Sequence, residues 1–180
     1  MVSDGLRAHF EGTLEQRVNR CLEVSHQDVI PNHYFAAASA ECIDLYTDGY
    51  FLSAVMVTHA VAEGIRRFVV ECERIKLDDN MKGPDIFDLL VQKGIISKDC
   101  ADAFNQIWGS FRNAVHHMYA TVEKIPFPTV AKSNIQALAV IEREVFAFKS
   151  GKNGGLIPTN PKYWDVRADG MISAFLRFSR

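Results

Sequence analysis

Paired cysteines are missing from this 180-residue chain, whose four cysteines, Cys21, Cys42, Cys72 and Cys100, are scattered with no CxxC among them. That spacing fits reduced, mostly buried thiols and argues against a disulfide framework or a zinc site. Long apolar runs are missing too. The longest, Tyr50 to Val57, falls far short of the roughly 20 residues a membrane-spanning helix needs. Asp4 near the start, with no apolar block after it, is unlike a secretory signal. A soluble, cytoplasmic protein without a membrane partner is expected. No glycine-rich phosphate loop, nucleophile motif, internal repeat or low-complexity tract is present, which weakens any reading as an enzyme of small metabolites. One ExxH occurs, at Glu23 and His26, but the second that a carboxylate-bridged di-metal site requires is absent. Neither metal nor cofactor is expected.

An excess of one charge is the last absence. With 20 basic and 22 acidic residues the formal charge is −2 and the pI about 6.3. Wholesale wrapping of nucleic acid depends on many phosphate contacts, so any RNA site must be a local patch. What is present is ordinary for one main domain: 48% hydrophobic and 23% charged residues, enough to bury a sizeable core.

The hydrophobic pattern is helical along most of the chain as far as Phe148. Residues 6–25 carry Leu6, Phe10, Leu14, Val18, Cys21 and Leu22 at spacings of three and four, interrupted afterwards by Pro31 and Asn32. An alanine-rich segment from His33 predicts two long helices with a corner at Asp48 and Gly49, where glycine takes a left-handed cap. Pro84 opens a short helix over Asp85 to Gln92, closed by Gly94. Ser97 is a candidate N-cap, with Asp99 in the first turn of a helix that continues through Ile107 to Met118 or beyond. After Pro126 and Pro128, Val130 to Phe148 is helical again. Residues 150–155 read as a flexible link, and Met171 to Phe178 as a short helix or strand.

Late in the fifth of these segments, residues 111–119 read FRNAVHHMY. Arginine is permanently charged and forks onto phosphate oxygens, while histidine titrates near neutrality and moves protons either way. Arg112 beside His117 therefore suits metal-free cleavage of a phosphodiester. Five residues at 3.6 per turn set the two roughly 140° apart on a regular helix, whereas Arg112 aligns with His116, and Asn113 with His117. A productive site needs a kinked helix end, a reaching arginine, or two chains meeting across a two-fold axis.

The RxxxxH element with Asn113 directly after Arg112, preceded by an Ala-rich helix running into DGYFLSAVMVTHAVAE and ending on Glu63, resembles the HEPN superfamily. The GII sequence at 94–96 adds to the likeness, which covers roughly residues 33–148. The resemblance implies an all-α, HEPN-like bundle of about five or six helices, with residues 1–150 as the helical domain and 151–180 as a C-terminal extension packing on the bundle or a partner subunit. It implies a homodimer and a metal-independent endoribonuclease of toxin or defence type. His117 would be the general acid–base, Arg112 the holder of the scissile phosphate and Asn113 an orienting group. RNA would be cut and DNA spared, because the nucleophile is the 2′-hydroxyl. RxxxxHxY further resembles toxins paired with a minimal nucleotidyltransferase antitoxin, with Tyr119 as the residue it modifies with AMP.

Several alternatives stay open. His116 competes with His117 by simple helix neighbourhood, and the same cleft would equally serve a non-catalytic module binding nucleotide, RNA or a protein partner. His59 and Glu63, one turn apart, form an ordinary intrahelical pair or support the site from a neighbouring helix. The Arg66, Arg67, Arg74 and Lys76 cluster reads as a solvated helix end. From Lys149 to Arg180 there are six basic and two acidic residues interleaved with Tyr163, Trp164, Phe175 and Phe178, a mix that packs onto the bundle or grips single-stranded RNA.

Overall fold

The computed structural model describes residues 2–24, 26–78, 80–152 and 154–177, the side chain of Leu6 excepted. It is an all-α bundle, edged by a few short strands. Helix α1 spans Val2–Glu23 and leads through strand β1, Val29–Pro31, into helix α2, Ala36–Asp48. Gly49 takes φ 90° and caps α2 through its backbone N–H, so the chain turns within two residues into helix α3, Phe51–Cys72. Helices α4, Gly83–Gln92, and α5, Lys98–Gly109, follow. At α4 the Lys82 backbone N–H donates to the Asp85 carboxylate at 3.3 Å. At α5 the Ser97 hydroxyl accepts from the Cys100 N–H at 3.1 Å, the cap its sequence signals. The six-residue helix α6, Arg112–His117, and helix α7, Phe127–Val145, complete the bundle.

Helix α3 lies at the centre, packed between α2 and α7, while α5 packs on α7 and carries α4 on its outer side. Its buried residues Ala54, Val55, Thr58, Val61, Ala62, Ile65 and Val69 recur at three and four, so one stripe meets both neighbours. Each fully buried side chain of this size contributes about 1.5–3 kcal/mol by leaving water. The four cysteines are all free, Cys42 and Cys100 buried and the other two half-buried. None of the described helices is long and apolar enough to cross a membrane.

The sequence expectation fails at two points. The helix expected to run past Ile107 to Met118 ends at Gly109, and the 150–155 segment is a hairpin turn. Strands β2, Phe148–Ser150, and β3, Leu156–Pro158, pair antiparallel around it, and the Gly151 N–H donates to the Gly155 carbonyl at 2.7 Å. Asn153 lies outside the described residues. Strand β4, Asp165–Val166, then pairs with β5, Ile172–Leu176, which lies antiparallel to β1. Tyr163 and Trp164 are buried in the core and Phe175 is half-buried; Phe178 and Arg180 fall outside the described residues.

Just beyond β5, Arg177 turns inward. Its guanidinium donates to both Glu142 oxygens, at 2.6 and 2.7 Å, and to the Ser39 hydroxyl, with a further bond to the Gln27 carbonyl at 3.0 Å. The side chains of Arg177 and Glu142 are 3% and 1% exposed, so the tail is tied to α7 and α2 by an ion pair out of water. Removing one partner strands the other charge in the core, a loss of about 3–5 kcal/mol. Arg177→Ala is expected to lower the unfolding free energy in urea by that amount, seen as a lower midpoint at unchanged slope. Arg177→Met combined with Glu142→Leu should recover part of it; a single variant as stable as the parent would contradict the assignment.

Candidate active site

Gly109 and Ser110 interrupt a helical pattern, and the backbone breaks there. Phe111 takes φ 61° and Met118 φ 50°, left-handed conformations that side chains other than glycine rarely adopt, so α6 is bracketed by strained residues at both ends. What holds the break is the Ser110 hydroxyl. Its single proton goes to the Ile107 carbonyl at 2.6 Å, leaving the oxygen to accept from Asn134 Nδ2 on α7 and from His59 Nε2 on α3, each at 2.8 Å. Asn134 is 1% exposed and His59 5%, so this junction of three helices is dry.

The arrangement sets the histidine tautomer. With its proton on Nε2, His59 keeps Nδ1 as a bare acceptor, and that atom is buried without a partner. Burial pushes the imidazole down to about 4, helped by the neighbouring His116 and the Arg112 guanidinium. His116 lies over His59, ring centroids 5.6 Å apart and planes tilted by 29°, and is itself exposed. Arg112 and His59 line the same narrow cleft, together with Glu63, Arg66 and Trp108.

Of the residues singled out by the sequence, the structure gathers Arg112, His116 and His59 on one side. His117 stacks instead on Tyr119, centroids 5.5 Å apart, and both are exposed, as is Asn113. Glu63 faces forward along its own helix, accepting from Arg66 at 2.7 and 3.0 Å and from Arg67 at 2.9 Å. These two arginines hold its carboxyl below the usual range against the opposing effect of burial. They are thus part of an α3 ion-pair network, and the Arg66 side chain, 12% exposed, is not the solvated group expected of it. Glu23 accepts from the Tyr46 hydroxyl at 2.5 Å, and His26 contacts the Gln27 carbonyl.

Arg112 makes no ion pair among the described residues. Its guanidinium lies 4.4 Å above the Trp108 ring, a contact between cation and aromatic face. The indole is packed on Gly83, where an added Cβ would come within 2.7 Å of ring carbons. Phe87 meets Trp108 edge-on at 6.3 Å. Trp108, Ser110, Asn134 and Gly83 were not among the sequence candidates. None of the four carried a local signal of a site; each is recognised by what it touches.

Protein-family models, curated proteins and solved structures were all compared with the chain, and none matches it.

A histidine whose pKa is lowered on folding favours the folded state while neutral. Unfolded, His59 would protonate near 6.5; folded, near 4, so its contribution is present above pH 6.5 and is lost as pH falls towards 4. The full contribution is on the order of 3 kcal/mol. Thermal unfolding followed across that interval should show the parent losing stability more steeply than His59→Gln. Parallel curves would show that the ring is not held neutral.

Proposed function

We propose that this chain is a metal-independent endoribonuclease in which the 112–119 segment cleaves RNA. One observation carries the reading: Arg112, free of any carboxylate among the described residues, and two exposed imidazoles, His116 and His117, lie on one six-residue helix beside a depression of about 280 Å³. The chemistry needs one anion binder and two proton movements. Arg112 would hold the scissile phosphate and stabilise charge as it builds on the oxygens. His117 would act as general acid–base, taking the proton from the ribose 2′-hydroxyl as that oxygen attacks phosphorus. The departing 5′-oxygen needs a proton in turn, and His116, on Arg112's side of the helix, is the second imidazole able to give it. His59 is 5% exposed and its Nε2 is spent on Ser110, so it supports rather than reacts. Asn113, exposed beside Arg112, would orient phosphate or base.

The resemblance of RNAVHHMY to HEPN toxins supports the same reading, and with it a nucleotidyltransferase antitoxin acting on Tyr119, which is 55% exposed. A homodimer belongs to the proposal as well. In α1 the described side chains from residue 2 to 12 are all exposed, and Phe10, Leu14, Val18 and Leu22 form a row at spacing four, 48–79% exposed. Rows at that spacing mesh with one another when two helices cross, so the row suits a second copy of itself.

Purified protein incubated with RNA in excess EDTA is expected to cut it. Arg112→Ala, His117→Ala and His116→Ala should each lower the rate by about 100-fold or more. Cleavage abolished by the chelator, or undiminished in Arg112→Ala, would rule the mechanism out. Sedimentation should show a dimer that Leu14→Glu converts to monomer; a parent that sediments as a monomer at high concentration removes the dimer.

A further inference from the structure

The cleft between His59, Glu63 and Arg112 is too narrow for a base, having room for about one water molecule (about 10 Å³). The depression on the other side of Arg112 differs. It is lined by Trp108, Gly109, Phe111, Arg112, Asn113 and Ala114 and opens to solvent. Its walls are an unusual set. The left-handed backbone at residue 111 leaves the Phe111 ring 48% exposed, although an aromatic at a strained position gains little by facing water. Arg112 is backed by an aromatic ring: the guanidinium lies 4.4 Å from the centre of the Trp108 ring, whose indole packs closely on Gly83, and among the described residues no carboxylate pairs with it. Asn113 adds an exposed amide that donates and accepts.

An aromatic ring, a flat guanidinium and an amide around one open depression are what an unpaired base asks for. Bases stack on aromatic rings and on arginine planes, and their edges hydrogen-bond to amides. We infer that the depression is a subsite for one unpaired nucleobase, stacked between Phe111 and the Arg112 plane, so that the substrate is single-stranded RNA. Only the choice of RNA as ligand rests on the nuclease reading; the stacking geometry does not. Gly83 is a positioning residue here, because it seats the indole of Trp108, which carries the guanidinium and lines the depression, without itself lining it. A base paired in a duplex is stacked on its neighbours and cannot enter.

The chain contains two tryptophans, and Trp164 is 4% exposed, so a ligand on Arg112 reports through Trp108. The experiment titrates the His116→Ala/His117→Ala protein, which spares the probe, with poly(A), with a duplex RNA, with adenosine monophosphate and with inorganic phosphate, following tryptophan fluorescence. Saturable quenching by poly(A) and adenosine monophosphate is expected, with little from duplex or from phosphate. Phe111→Ala should weaken poly(A) binding roughly 5- to 150-fold, the range for one stacked base, and Phe111→Tyr, which keeps the ring, should restore it. Gly83→Ala should weaken binding and alter the emission of the free protein. Unchanged affinity in a folded Phe111→Ala variant overturns the subsite, as does equal binding of duplex or an equal response to phosphate alone. If the double variant binds as described while the parent cuts no RNA, the subsite stands and the nuclease reading falls. If the parent cuts RNA and Phe111→Ala leaves KM unchanged, the reverse holds.

Discussion

Three helices meet at the hydroxyl of Ser110. It accepts from His59 on α3 and Asn134 on α7 and donates to the last turn of α5, so the end of α5 cannot shift without leaving a buried polar group unpaired. Two groups, His59 and Asn134, would be left so at about 1–3 kcal/mol each, which together outweigh the similar cost of one left-handed residue at Phe111. The strained corner after α5 is therefore a consequence of this junction. From it follow the direction of α6, the placement of Arg112 over Trp108 and the position of His116 above His59.

The break moves the motif onto its own helix without changing the angle within it. On a regular helix Arg112 and His117 point about 140° apart. Arg112 and His116 accordingly meet Trp108 and His59, while Asn113, His117 and Tyr119 are exposed. The proposed chemistry uses both sides: a phosphate gripped at the edge by Arg112, and imidazoles reached from solvent. Meanwhile His59, neutral by burial, gives His116 an uncharged surface to lie on, where a cation would repel it once protonated.

A second anchor, further along α7 than Asn134, has the same logic in stronger form. Glu142 lies on α7 at 1% exposure and would be untenable as a lone carboxylate. Arg177 comes from far along the chain to pair with it, and the short strands β1 and β5 bring it there. Tyr163, Trp164 and Arg177 of the tail are thus packed into the structure, whereas Lys149, Lys152, Lys162 and Arg167 are exposed.

Much of this was legible in the linear chain. Periodicity at three and four marked α1, α2, α3 and α7; Gly49 marked the end of α2, and Pro84, Gly94 and Ser97 the bounds of α4 and α5, because caps and left-handed turns depend on residue type within one or two positions. The RNAVHH run marked where polar, titratable groups cluster. The break at Gly109–Ser110 was not legible, since glycine and serine are tolerated in helices, and only partners 51 and 24 residues away make the break favourable. Glu142 on α7 looked like any surface carboxylate, and Arg177 like any tail cation. Local pattern thus determined the helices and the chemical types on them. Tertiary structure alone decided which groups share a site, because burial and hydrogen-bond satisfaction depend on residues that meet only after the chain has folded.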